Sequence, residues 1–151
     1  MERIKVVGAG LAGCEAAWWL AEEGFSVELA DIKPRSFTPA HSNADFAELV
    51  CSNSLKSNDV FGNACGLLKE EMRILGSLTM QAAGVSAVPA GGALAVDRGK
   101  FARFITEKIK SHGNITAVCA EAEEVPEAPC IIATGPLTAG ALAQDIERVT
   151  G

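Results

Sequence analysis

The feature that most constrains this sequence is a glycine-rich turn that follows a short apolar run near the N-terminus. Residues 4–7 predict a buried strand, and an apolar helix pattern begins directly after the turn. In this arrangement Gly8 permits the tight turn, Gly10 lets a pyrophosphate approach the backbone, and Gly13 lets the helix pack on the strand. The helix start then offers backbone N–H groups and the positive end of its dipole to phosphate. The candidate cofactor-binding residues here are Gly8, Ala9, Gly10, Leu11, Ala12 and Gly13.

The residues after the turn strengthen this interpretation. Ala17 is small where helix and strand must meet, and Gly24 can end the helix. The strand predicted over residues 27–31 ends in Asp31, about 18 residues beyond Gly13, near the spacing at which a carboxylate reaches ribose hydroxyls. An ordinary glycine-bearing turn would not explain the strand, the small residue and the acid together. The pattern therefore predicts a dinucleotide site.

Length and composition favour one soluble α/β domain. The chain has 151 residues, of which 48% are hydrophobic and 21% charged, and this composition argues against disorder. The sequence lacks an apolar run long enough to span a bilayer and a typical signal peptide, so we expect a cytoplasmic protein with no membrane partner. The net charge of −6 does not favour a free-standing nucleic-acid binder; any such role must depend on a local basic patch.

The five cysteines indicate neither a disulfide framework nor a metal site. Their number is odd, no C-x-x-C pair occurs, and only two histidines are present. Cys14, Cys119 and Cys130 lie in apolar patterns and are predicted to be inert core thiols. Cys51 instead lies among polar residues, followed by Ser-Asn-Ser. From the pattern alone a structural thiol is favoured there over a reactive one.

The order of the remaining predicted elements indicates a Rossmann-like, doubly wound α/β fold with a mostly parallel sheet and an inserted loop and helical region over residues 34–96. Helices are predicted at residues 64–75, 77–83, 99–111 and 142–149, and strands at residues 115–120 and 130–135. The helix at 64–75 has Leu67, Leu68, Met72 and Leu75 on one face. The loop over residues 35–63 is long enough to suggest a functional role.

Two further pairs of residues are candidates for the site. Asp97 and Arg98 form either a helix cap with a solvated cation or a pair that reaches the cofactor. Thr134 and Gly135 end the last predicted strand, where glycine leaves room for backbone to approach a dinucleotide.

Five stretches together resemble a known family. They are residues 6–17, 38–41 (Thr-Pro-Ala-His), 49–55 (Leu-Val-Cys-Ser-Asn-Ser-Leu), 88–98 (Val-Pro-Ala-Gly-Gly-Ala-Leu-Ala-Val-Asp-Arg) and 133–138. In this order they resemble the N-terminal part of the folate- and FAD-dependent tRNA (uracil-5-)-methyltransferases, the TrmFO family, which is related to the GidA-type flavoproteins. Family members are considerably longer, so we expect this chain to be a fragment whose FAD-binding domain occupies residues 1–151.

The resemblance implies a reaction and a set of site residues. The reaction is transfer of a one-carbon unit from 5,10-methylenetetrahydrofolate to C5 of a T-loop uridine in tRNA, with FAD as cofactor and NAD(P)H as reductant. Cys51 becomes an active-site thiol, and the second cysteine of the family would lie beyond Gly151, so the chain alone is expected not to turn over. The expected cofactor contacts outside the turn are Asp31, Lys33, Asn53, Asp97, Arg98, Thr134 and Gly135.

Three alternatives remain at this point. A related flavoprotein that modifies the wobble uridine of tRNA has a similar glycine turn, but the Cys-Ser-Asn-Ser stretch favours the first family. A non-catalytic dinucleotide-binding module is the second alternative. A general NAD(P)H:flavin oxidoreductase is the third, although the C-x-x-C pair expected of one is missing.

Overall fold

The computed structural model describes residues 3–151, which form a four-stranded parallel sheet, a three-stranded antiparallel sheet and five helices. The strands are β1 (Arg3–Val7), β2 (Ser26–Asp31), β3 (Ser54–Ser57), β4 (Ala87–Val88), β5 (Ala93–Val96), β6 (Ile115–Cys119) and β7 (Cys130–Ile132). The helices are α1 (Leu11–Glu22), α2 (Ala64–Ile74), α3 (Leu78–Ser86), α4 (Arg98–Ser111) and α5 (Gly140–Thr150). The predicted α/β class with a parallel sheet is confirmed.

The parallel sheet has the strand order β6-β2-β1-β7. Its two central strands follow one another through α1, and they pair from Arg3 opposite Ser26 to Val7 opposite Ala30. Strands of this kind are covered on both faces and therefore have continuous apolar runs. The apolar residues of β1 and β2 supply much of the core. The carboxyl ends of these two strands lie side by side at the glycine turn.

Between β2 and α4 the chain builds a second, antiparallel sheet with the order β3-β5-β4. The sequence pattern did not predict β3 or β4, because one is short and polar and the other has only two residues. Both form by pairing with β5, where Ala95 lies opposite both Ser54 and Val88. The helix predicted at residues 77–83 forms as α3, and it continues to Ser86.

Helix α2 forms as predicted, but most of its apolar face is exposed. Leu68 is 57% and Leu75 70% exposed. The opposite face is turned inward, and Lys69 is buried there with its ammonium donating to the carbonyls of Leu55 at 2.8 Å and Cys65 at 2.7 Å. Helix α2 packs against β3 and α3, and this contact uses the face that carries Lys69.

The cysteine predictions hold only in part. Cys14 is fully buried, as expected. Cys119 is exposed and Cys130 only half-buried, so the prediction of core thiols is wrong for these two. They belong to β6 and β7, the outer strands of the parallel sheet in the described part of the chain, where one edge is not covered by a neighbouring strand.

Candidate functional site

The glycine turn is held tightly between α1, β2 and the end of β7. Gly8 has φ +99°, a conformation that side chains disfavour, and its N–H donates to the Ala30 carbonyl at 2.7 Å. A Cβ on Gly8 would lie 2.6 Å from the Ala133 carbonyl oxygen, and one on Gly13 only 1.7 Å from the Gly8 oxygen. Both glycines are therefore required by contacts within the protein.

Gly10 is different, because a Cβ placed there meets no protein atom within 4 Å. It is also the N-cap residue of α1, and in the described residues no side chain caps this helix. Helices α2, α3 and α4 are each capped by a side chain, from Asn63, Ser77 and Asp97, whereas α5, like α1, begins without one. An uncapped helix start beside open space fits a bound phosphate, since its first N–H groups have no intrahelical acceptors.

Asp31 lies beside this turn, at the end of β2. Its Oδ2 accepts a hydrogen bond from the Ala9 N–H at 2.6 Å, and its Oδ1 accepts one from the Lys33 N–H at 2.9 Å. A carboxylate oxygen can accept more than one hydrogen bond, so the half-buried side chain can still receive a ribose hydroxyl. The carboxylate also braces the turn itself, a contact that residue spacing did not predict.

Residues 45–47, which we call the anchor segment, are each tied to a different element. The Asp45 carbonyl accepts from the Lys33 ammonium, the Phe46 N–H donates to Thr106 Oγ1 at 2.8 Å, and the Ala47 N–H donates to the Ala9 carbonyl at 2.9 Å. Ala47 is buried with φ +51°, which an alanine adopts at a cost of roughly 1–2 kcal/mol. The three hydrogen bonds of the anchor segment stabilise this conformation and keep Ala47 bound to Ala9 of the glycine turn.

No sequence pattern indicated the anchor segment. Ala47 has no neighbour that signals a positive φ, and Thr106 lies within an otherwise apolar helix stripe. Lys33 was expected to contact the cofactor, but the structure buries it and directs its ammonium to Asp45. Its ammonium thus supports residues 45–47, while its N–H donates to the Asp31 carboxylate that braces the turn.

Cys51 is exposed in the loop that follows the anchor segment. It stands four residues after Ala47, so the two Cα atoms lie within about 14 Å of each other. On the other side, the Asn53 side chain donates to the Val96 carbonyl at 3.1 Å, and the Val96 N–H donates to the Asn53 carbonyl at 2.9 Å. The loop is thus fixed between the glycine turn and the start of α4.

The remaining predicted residues lie at the ends of neighbouring elements. Asp97 Oδ1 accepts from the Lys100 N–H at 2.9 Å, so Asp97 caps α4, as one of the two interpretations stated, and Arg98 is exposed beside it. Thr134 follows β7, and its backbone N would lie 2.9 Å from a Cβ on Gly8. The Thr134 hydroxyl is 2.6 Å from that of Thr138, and Gly135 has φ +75°.

Burial and hydrogen bonding change two pKa values near the turn. Burial, with a smaller contribution from the Asp31 charge, raises the pKa of the Cys14 thiol to about 12, so this thiol stays protonated. Burial tends to raise the pKa of Glu48, but hydrogen bonds from the Asn43 and Ser42 N–H groups outweigh it and hold the pKa below its ordinary value. Glu48 is therefore a charged brace for the loop before the anchor segment.

Within residues 3–151, no helix combines the length and apolarity needed to cross a bilayer. The same residues do not bring three or more His, Cys, Asp or Glu side chains into a group that could hold a metal ion.

Comparison with known proteins gives the family. The model of the family described as "glucose inhibited division protein A" matches residues 3–149. The chain belongs to this family. In Exiguobacterium sibiricum, a relative named methylenetetrahydrofolate–tRNA-(uracil-5-)-methyltransferase TrmFO is 56% identical over 151 residues, which cover 100% of this chain and 35% of that protein. The resemblance inferred from the motifs is thereby confirmed, and the chain spans about a third of the length of the curated relatives it matches.

Two solved structures in this family have the same fold. The GidA of Aquifex aeolicus is 17% identical, with a TM-score of 0.65, over 84% of this chain and 21% of that protein. The GidA-related protein from Thermus thermophilus is 16% identical, with a TM-score of 0.54, over 97% of this chain and 68% of that one. At these identities the likeness shows the fold alone.

Proposed function

We propose that this chain serves methylenetetrahydrofolate–tRNA-(uracil-5-)-methyltransferase activity, and that its own task is to hold FAD at the glycine turn and to present Cys51 beside it. The open space at Gly10, next to an uncapped helix start, is the observation that carries the cofactor assignment. The identity of 56% over the whole chain with a relative of that name supports the reaction.

Some of the site residues bind the cofactor, and others position the loops around it. The N–H groups at the start of α1 bind the pyrophosphate, and Asp31 receives the ribose hydroxyls. Asn53, Asp97 and Arg98 lie together at the junction of the Cys51 loop and α4, while Thr134 and Gly135 close the turn from the β7 side. The bound flavin supplies the redox and one-carbon chemistry, and the protein orients the reactants around it.

We assign the reactive thiol to Cys51, the cysteine that the family resemblance indicates, which is exposed in the loop after the anchor segment. Cys14 is buried and protonated, whereas Cys51 is exposed and lies within a short reach of the turn. We assign to the complete reaction the substrates 5,10-methylenetetrahydrofolate, NAD(P)H and the T loop of tRNA, and we place it in the cytoplasm. The wobble-uridine alternative is not favoured, because the similar relatives carry the methyltransferase name.

Flavin retention tests the cofactor assignment. The purified chain is mixed with FAD and desalted, and its visible absorption spectrum is recorded. We expect retained flavin in the wild type and its loss in Gly10→Val, because the new side chain fills the space that the phosphates need. Gly113→Val is the matched control, since a Cβ on Gly113 also meets no protein atom within 4 Å. Equal flavin in both variants, or none in the wild type, contradicts the assignment.

Alkylation of the thiols tests the place of Cys51. Iodoacetamide labelling, resolved by peptide mass spectrometry, gives a separate rate for each cysteine with and without FAD. We expect FAD to change the rate at Cys51 while leaving the exposed Cys65 in α2 unchanged. A Cys51 rate that does not respond to bound FAD would argue for the non-catalytic dinucleotide-binding module.

A further inference from the structure

Helix α4 carries a concentration of positive charge in an acidic chain. Its 14 residues hold Arg98, Lys100, Arg103, Lys108 and Lys110, five of the 13 Lys and Arg of the whole protein. They hold one of the 19 Asp and Glu, Glu107. All of these charged side chains are exposed. Lys100, Arg103 and Lys110 lie on the side of the helix away from the core, into which Phe101, Ile105 and Ile109 pack.

The five cations have no carboxylate partner within 4 Å in the described part of the chain, where the ion pairs involve other residues. Lys108 and Lys110 lie over the rings of Phe104 and Phe46 instead, at 5.6 and 5.3 Å from the ring centroids. Lys108 and Lys110 also stand in the last turn of the helix, where cations interact favourably with the dipole.

Arg98 and Lys100 stand in the first turn, where the helix dipole disfavours positive charge. The Asp97 carboxylate caps this turn by accepting from the Lys100 N–H at 2.9 Å, and it offsets part of that positive charge. Neither cationic side chain pairs with a carboxylate within 4 Å among the described residues, so both exposed groups remain available to an external anion.

The basic face begins at the candidate active site. The loop of Cys51 is tied to Val96 through Asn53, and α4 starts two residues after Val96. From Lys100 to Lys110 the face runs for about 15 Å along the helix axis, away from that loop. The Cys51 loop is therefore tied to the chain at the end of the helix where this face begins.

We propose that the exposed basic face of α4, formed by Lys100, Arg103 and Lys110, binds the phosphate backbone of the tRNA T arm and leads the target loop to Cys51. The proposal rests on the function proposed above and names the surface that such a function needs. Phosphate contacts of this kind fix position and orientation without reading sequence.

A lipid surface is a poorer partner for this helix. Helices that lie in a membrane interface insert an apolar face below the headgroups, and the apolar face of α4 is already buried, with Phe101, Ile105 and Ile109 at 0% exposure. The face that remains is polar and charged.

The test is binding of a fluorescein-labelled RNA hairpin with the stem and loop of a tRNA T arm, measured by anisotropy over a range of salt concentrations. The double variant Lys100→Gln/Arg103→Gln is expected to bind about 10-fold or more weakly at 0.1 M salt, because two phosphate contacts are lost. The slope of log Kd against log salt should fall by about one for each cation removed.

The matched control is Arg3→Gln/Lys5→Gln, which removes the same two charges from exposed side chains that pair with Glu28 in the sheet. We expect it to bind RNA as the wild type does. Wild-type binding by the α4 variant, equal weakening in the control, or no RNA binding by the wild type would each overturn the proposal.

Flavin retention, recorded on the same preparations, distinguishes a failure of the RNA-binding surface from a failure of the proposed function. Retained flavin with no effect of the α4 variant would refute the RNA surface alone. Loss of flavin from the wild type would refute the function. Circular dichroism of the two double variants confirms that the exposed substitutions leave the fold unchanged.

Discussion

The central strands of the parallel sheet and helix α2 of the insertion between β2 and α4 differ in how much of their apolar surface is buried. In the sheet, Val6, Val27 and Leu29 are all 0% exposed. In the insertion, Ile74 of α2 is 78% exposed while Lys69 on the same helix is buried to 6% exposure. The periodicity of a sequence thus shows which face of an element is apolar, but not whether another surface lies there to cover it.

The difference has a structural origin. Each central strand of the sheet has a neighbour on both edges and apolar packing above and below, so that every apolar residue finds a partner. Helix α2 meets β3 and α3 from one side only, and Lys69 supplies hydrogen bonds to two carbonyls there. The predictions below test how far the two regions differ.

The largest effect is expected for Gly13→Val in the sheet region. A Cβ at this position would lie 1.7 Å from the Gly8 carbonyl oxygen, and backbone has little room to move. We expect a loss of about 4 kcal/mol or more in the free energy of unfolding, measured by urea denaturation. Gly10→Ala should cost less than about 1 kcal/mol, since its Cβ enters open space. Equal losses would contradict the division of the turn into packed and open glycines.

Truncation of leucines compares the two regions directly. Leu29→Ala should reduce the free energy of unfolding by about 3 kcal/mol, because it leaves a cavity in a fully buried site. Leu68→Ala removes the same atoms from a side chain that is 57% exposed, and a change within about 0.5 kcal/mol is expected. A large loss at Leu68 would show that its face is covered in solution.

Thr106→Val tests the junction between the two regions. The variant keeps the shape of the side chain but removes the oxygen that accepts from the buried Phe46 N–H at 2.8 Å. An unsatisfied buried donor costs about 1–3 kcal/mol, which urea denaturation would detect. Thr106→Ser retains the hydroxyl and should stay closer to the wild type. If serine and valine are equally destabilising, the methyl group rather than the hydrogen bond holds the anchor segment.

The smallest effect is a pH dependence within the insertion. The folded protein holds the pKa of Glu48 below its ordinary value of 4.5, so the charged form stabilises the fold. This stabilisation is complete above pH 4.5 and is lost as the pH falls through the folded pKa. The difference in unfolding free energy between wild type and Glu48→Gln should therefore be present at neutral pH and disappear in acid. A difference that persists at the lowest pH would show that the shape of the Glu48 side chain, rather than its charge, stabilises the fold.

Much of the sheet region could be predicted because its signals are local. The apolar runs of β1 and β2, the spacing of Gly8, Gly10 and Gly13, and the acid at position 31 each follow from neighbouring residues. The cap of α4 by Asp97 is local too, and the structure contains it. Cys51, for which the pattern alone favoured a structural thiol, is exposed in the structure.

Cys119 shows the limit of such reasoning. Its apolar strand pattern predicted burial, yet it is exposed because β6 has a single neighbour, β2, in the described sheet. A strand's own sequence does not state its position in a sheet. The exposure of Leu67, Leu68 and Leu75 has the same lesson, since the periodicity of α2 places them on one face but does not show whether another surface covers it.

The sequence by itself determined the glycine turn, the helix that follows it and the acid beside it, because residue spacing and chirality decide such short-range geometry. Only the tertiary structure decided that Ala47 has a positive φ and donates to Ala9, and that Thr106 accepts from Phe46. It also decided that the Cys51 loop lies between the glycine turn and the start of α4. These contacts join residues far apart in the chain through single backbone hydrogen bonds. Such bonds impose no periodicity on the sequence, so they become visible only when the whole chain is folded.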